Sequence, residues 1–181
     1  MLGFKSFLQE AKNLHMTHLE DNVFIGGVNG TRDSINFLRS LRDMLIGDSV
    51  ARVNVTVKFD GAPAIVCGAD PSTGKFFVGT KSVFNKNPKL NFTKQDIKKN
   101  HSGDLAKKLA IALDELPKLG IKTIYQGDMM FSSGDVKKKK INDEKMIIFQ
   151  PNTIVYAVPA DSELARKILA AKMGIVFHTE Y

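Results

Sequence analysis

Residues 52–80 hold three strand-like runs joined by turn chemistry, and this stretch constrains the fold most. Arg52-Val53-Asn54-Val55-Thr56-Val57-Lys58 alternates strictly. It predicts a strand with the three valines on one face and Asn54, Thr56 and Lys58 on the other. Residues 64–68 and 76–80 read as two more strands, and Asp70-Pro71-Ser72-Thr73-Gly74 between them makes a turn. Asp and Ser bond their own backbone, Pro presets φ and Gly accepts left-handed geometry, so the two runs should form a hairpin.

Helices flank this stretch. Residues 3–12 place Phe4, Phe7, Leu8 and Ala11 at helical spacing. Gly26 to Gly30 is a break, Thr31 an N-cap candidate, and Ile35, Leu38, Leu41, Leu45 and Ile46 mark one face of a helix stopping before Gly47. Residues 81–103 read as a polar loop with one helical turn near Asp96, and residues 104–116 as a helix closed by Pro117 and Gly120. Strands are expected at 121–127, 146–149, 153–158 and 175–179, a charged loop at 132–142, and a helix at 162–173 ended by Gly174. The expected class is α+β, an antiparallel or mixed sheet with flanking helices. The division is a helical segment at 1–50 and an α+β region at 51–181.

Composition narrows the classes. No apolar run reaches the roughly 18 residues a membrane helix needs, so no membrane partner is expected. The first residues lack the pattern of a secretory signal. A single cysteine, Cys67, excludes an internal disulfide framework, fits a reducing cytoplasm, and reads as a buried small apolar residue. With four scattered histidines, a structural zinc site is not expected. The net charge is +7, spread over both halves, with a lysine-rich stretch at 86–108 and an unbroken run at 137–140. Such charge suits polyanionic partners and equally suits plain solubility.

Lys58-Phe59-Asp60-Gly61-Ala62-Pro63-Ala64 is the sharpest local feature. A lysine stands at a strand end on the polar face, a carboxylate follows two residues later, and then a glycine allows a sharp turn. A lysine so placed can reach a ligand and, once deprotonated, act as a nucleophile; the four letters alone fit a strand-end lysine in a surface turn better.

Lys-x-Asp-Gly resembles the nucleotidyl-lysine motif of the covalent nucleotidyltransferases: ATP-dependent DNA ligases, RNA ligases and mRNA capping enzymes. Val78-Gly79-Thr80-Lys81-Ser82, Tyr125-Gln126-Gly127-Asp128 and residues 153–158 with Tyr156 are similar to later motifs in that superfamily's order. The resemblance covers residues 52–158. It implies a ligase adenylation-domain-like fold in which Lys58 attacks the α-phosphate of ATP, or of GTP, with Mg²⁺ present. It implies nucleotide contacts from Asp60, Gly61, Lys81, Gly127, Asp128 and Tyr156, with Asp128 on the metal. Onward transfer to a nucleic-acid 5′-phosphate would make the protein a ligase. Thr17 to Asp21, Lys58 to Ala64, Phe76 to Phe84, Gln126 to Phe131, Phe149 to Val158 and Gly174 to Tyr181 also give nearly the whole chain a resemblance to an uncharacterised family of tailed-phage proteins, which implies the host cell cytoplasm.

The chain departs from the superfamily in three places. Ala62-Pro63-Ala64 follows the motif where ligases carry a basic or small polar residue. Met173 stands where a later acid belongs, and no closing Lys-x-Lys strand is found, so the region is read as truncated at its C-terminus. Two other classes stay open: a non-catalytic nucleotide- or nucleic-acid-binding protein that keeps the fold, and a phage structural or host-interaction protein. His15, His18, Glu20 and Asp21 form a weaker metal candidate than a capping and surface group, and His101 and His178 read as structural or surface histidines.

Overall fold

Asp70 fastens the hairpin at the centre of the fold. Its carboxylate accepts from the Ser72 amide at 3.0 Å, the Ser72 hydroxyl at 2.8 Å and the Thr73 hydroxyl at 2.7 Å. Burial pushes this carboxyl upward, but the combined hydrogen bonds of Thr73 and Ser72 hold it below the ordinary range. The turn joins β1 (Ala64–Ala69) to β2 (Phe76–Gly79), paired antiparallel with Cys67 opposite Val78.

The structure, a computed structural model, describes residues 18–48 and 57–181. These fall into two units: residues 18–48 with Val57 and Lys58, and Phe59–Tyr181. The expected helix at 3–12 lies outside the described residues, as does most of the alternating run at 52–58. Val57 and Lys58, its last two residues, are in no strand.

In the first unit, helix α1 (Leu19–Leu45) is broken at Gly27, whose φ of 53° no ordinary helical residue adopts. The chain doubles back there. The Ser34 hydroxyl donates to the Leu19 carbonyl at 3.2 Å, and the Asn22 amide to the Gly30 carbonyl at 3.3 Å. Thr31 is not the N-cap expected of it. It sits inside the helix, its hydroxyl donating to the Gly27 carbonyl at 2.8 Å. The stop before Gly47 is as expected. The face marked by Ile35, Leu38, Leu45 and Ile46 is exposed, as are Phe24 and Ile25, because the hairpin closes on Gly30 and Ser34 instead.

The second unit holds two antiparallel sheets. The larger has strand order β2-β1-β3-β7, with β3 spanning Ile124–Ser132 and β7 Met173–Glu180. One face carries Ile65, Cys67, Val78 and Met129 against helices α2 (Lys94–Asn100) and α3 (Gly103–Glu115), through Ile97, Leu109 and Ala112. Val66, Phe77 and Ile124 pack with Val83 and Phe92 in a second cluster. Thr93 and Asp96 form a capping box at the start of α2. The smaller sheet has order β4-β5-β6, from Lys137–Ile141, Glu144–Phe149 and Tyr156–Pro159. Helix α4 (Glu163–Ala170) covers it by burying Ala165 and Ile168 with Ile147 and Phe149. The class is α+β with antiparallel sheets.

Several boundaries differ from the sequence reading, four of them with a bearing on the site or the sheets. β3 runs through Gly127 to Ser132 rather than stopping at the glycine. β4 occupies what reads as a charged loop; Asn142 and Asp143, both at positive φ, make the two-residue turn that lays it against β5. β6 starts at Tyr156, leaving residues 153–155 outside it. Gly174 lies within β7 instead of ending a helix, which stops at Ala170; the Phe131 ring occupies the space a side chain at 174 would need. Cys67 is buried in β1, and burial pushes its thiol up to about 12, so it is an inert apolar residue as expected.

Candidate functional site

The Asp60-Gly61 turn is fastened to both sheets of the second unit. A Cβ on Gly61 would lie 2.7 Å from the Met129 carbonyl oxygen and 3.0 Å from Asp128 Cβ, so only glycine lets the turn lie against β3 here. The Ala62 amide donates to the Met129 carbonyl at 3.0 Å, and the Met129 amide to the Pro63 carbonyl at 3.0 Å. The Ala62–Pro63 bond is cis. The chain then enters β1, with Ala64 opposite Asp128.

The smaller sheet holds the other side of the turn. Tyr156 Oη accepts from the Asp60 amide at 2.9 Å and donates to the Asp60 carbonyl at 3.0 Å. Its ring stacks with Phe149 at 5.4 Å and with Phe59 at 5.9 Å. The resemblance implies a nucleotide contact for Tyr156. In the structure its ring and hydroxyl are both engaged inside the protein, and it clamps the motif. Tyr156→Phe keeps the stacking and removes both hydrogen bonds. It should cost about 1–2 kcal/mol, read as a melting temperature lower by roughly 3 °C. The Asp60 amide should exchange its hydrogen about tenfold faster; unchanged exchange at that amide would show that the clamp is not formed in solution.

Asp128 sits mid-strand, its side chain 21% exposed, beside a histidine that sequence reasoning set aside. His178 Nε2 lies 3.7 Å from Asp128 Oδ1. A register shift brings them together: Gln126 faces Thr179 but Gly127 faces Phe177, so His178 is the extra residue of a β-bulge. Bulges re-aim side chains, and this one directs the imidazole to the carboxylate. His178 Nδ1 also lies 2.9 Å from Thr179 Oγ1. Nearby, the Tyr181 hydroxyl donates to Gln126 Oε1 at 2.9 Å, and its ring meets Phe84 at 5.3 Å.

Lys81 opens the short 3-10 turn Lys81–Phe84 after β2 and is exposed. The register puts Gly79, Val66 and Gln126 in one row across the sheet, with Ala64 and Asp128 two residues further along their strands. Lys81 therefore leaves β2 at the end of the sheet where the motif enters β1.

Lys58 belongs to the other unit and is its last residue. Its ammonium lies 3.4 Å from His18 Nε2, in a group with Glu20 and Asp21. The carboxylate of Asp21 accepts from the His18 amide at 3.0 Å, so His18 caps α1. His15 lies outside the described residues. Among the described residues no three His, Cys, Asp or Glu side chains group closely enough to hold a metal. Asp128 is a single carboxylate. That fits Mg²⁺, which is commonly bound through one or two carboxylates together with a nucleotide's own phosphates.

The second unit is thus a two-sheet antiparallel α+β scaffold with an Asp60-Gly61 turn clamped between its sheets. Residues 13–181 match a family of unknown function (DUF6267), and the chain belongs to that family. No curated protein and no solved structure matches it. No helix among the described residues is long and apolar enough to cross a membrane.

Proposed function

We propose that this chain is a covalent nucleotidyltransferase of polynucleotide-ligase type, with Lys58 as the residue that carries the nucleotide. One observation supports this reading most. Asp60-Gly61, Gly127-Asp128 and Tyr156 come from three distant stretches, and they meet around one turn. Covalent connectivity holds Lys58 two residues from the clamped Asp60.

In the proposed reaction, deprotonated Lys58 Nζ attacks the α-phosphorus of ATP. A P–N bond forms, the bond to the bridging oxygen breaks, and pyrophosphate leaves with the electron pair. Mg²⁺ would lower the charge of the triphosphate. Asp128 would hold the ion, and Lys81 would meet the phosphates from the neighbouring strand end.

The test is incubation with [α-³²P]ATP, and separately GTP, with Mg²⁺, followed by a denaturing gel. The parent should carry label that survives denaturation, and Lys58→Ala and Lys58→Arg should carry none. Absence of label from folded parent protein with both nucleotides rejects the enzyme. It leaves the second reading, a non-catalytic nucleic-acid- or nucleotide-binding protein that retains the fold.

A further inference from the structure

The outer strand of the smaller sheet places three ammonium groups around one groove, and we propose that this groove binds the phosphate backbone of a nucleic acid. Lys138 and Lys140 lie on the same face of β4, about 6.7 Å apart by strand geometry. Lys145 faces Lys140 directly across the β4–β5 pairing. With Met146, Ile147, Ala160, Leu169 of α4 and Lys139 from the alternate position of β4, they line a depression of about 450 Å³.

Edge strands often carry a lysine to prevent aggregation, and that accounts for some of this charge. It does not account for Lys140 opposite Lys145, since like charges directly across a sheet destabilise it. Asp143 pairs with Lys140 at 2.7 Å, but its side chain is 95% exposed and such pairs are worth little. A local conflict of this kind, offset only by that exposed pair, is what a binding surface leaves in the unbound protein.

Charge density selects the occupant. Three cations fall within about 7 Å of strand length. An extended acidic peptide presents one carboxylate per roughly 6.7 Å on a given face, whereas duplex DNA carries one charge per about 1.7 Å of axis. No aromatic side chain lines the groove, so it offers phosphate contacts without base stacking. Binding is then salt-dominated and independent of base sequence. The inference does not rest on chemistry at Lys58, because the groove is lined only by β4, β5, α4 and Ala160.

The experiment measures fluorescence anisotropy of a labelled 20-base-pair duplex without ATP, at several salt concentrations. Lys138→Gln/Lys140→Gln/Lys145→Gln should bind at least tenfold more weakly, and the slope of log affinity against log salt should flatten by about 2.7. Its melting temperature should hold or rise, because the facing like charges are gone. Affinity within twofold of the parent in a folded variant overturns the proposal, as does equal parental affinity for polyglutamate of matched charge. Should the variant not fold, acetylation of parental lysines with and without duplex decides the matter. Lys138, Lys140 and Lys145 should be protected relative to Lys98 on α2, and equal labelling overturns the proposal. Failure here leaves the label expected at Lys58 untouched, since no nucleotide is present.

Discussion

Gly127→Ala should destabilise the protein by about 3 kcal/mol, because the added methyl group has nowhere to go. Its Cβ would stand 2.5 Å from the Val176 carbonyl oxygen and 2.9 Å from Phe177 Cα. Both obstacles are backbone of the neighbouring strand, so no side-chain rotation relieves them. The strands β3 and β7 must part at the bulge that aims His178 at Asp128. Urea denaturation should therefore show a lower midpoint with an unchanged slope. The His178 imidazole resonances should also move. A variant with the parental midpoint would mean that the close β3–β7 contact at Gly127 is absent in solution.

Phe149→Ala should cost about 3–5 kcal/mol, as expected for a large aromatic side chain removed from a core. Phe149 is buried between two rings, with Phe131 at 4.9 Å and Tyr156 at 5.4 Å. Its loss opens a cavity in the cluster that α4 covers, and it frees the ring whose hydroxyl holds Asp60. Phe59 sits at the other end of the stack and is 44% exposed. Phe59→Ala should cost about 1 kcal/mol, since less surface returns to water. Thermal melts of the two variants check the contrast. Equal losses would show that burial is not shared along the stack as described.

What the sequence disclosed depended on where the specifying contacts lie. The β1–β2 hairpin was legible because Asp70, Ser72 and Thr73 bond within the turn itself. Strand β4 was not, since four lysines carry no apolar alternation. Its partner β5 and the Asn142-Asp143 turn specify it instead, and that dipeptide at positive φ was the available signal. Gly127 read as a strand end because glycine usually interrupts, yet here it admits the approach of Val176.

The same division holds at the site. Asp60, Gly61, Asp128 and Tyr156 were named from local motifs, and the structure draws them around one turn. His178 was passed over. Its partner Asp128 lies on a different strand, and only a one-residue bulge turns it inward, which no local pattern announces.

Cys67 lends the protein an internal clock. It is the only cysteine, it is fully buried, and it lies on a strand paired on both sides, opposite Val78 and Tyr125. A thiol reagent in solution reaches it only when the larger sheet opens. The rate of modification in native buffer therefore reports the opening free energy of that sheet without denaturant. A cysteine introduced at an exposed position can meanwhile be tagged in the folded protein while Cys67 stays silent.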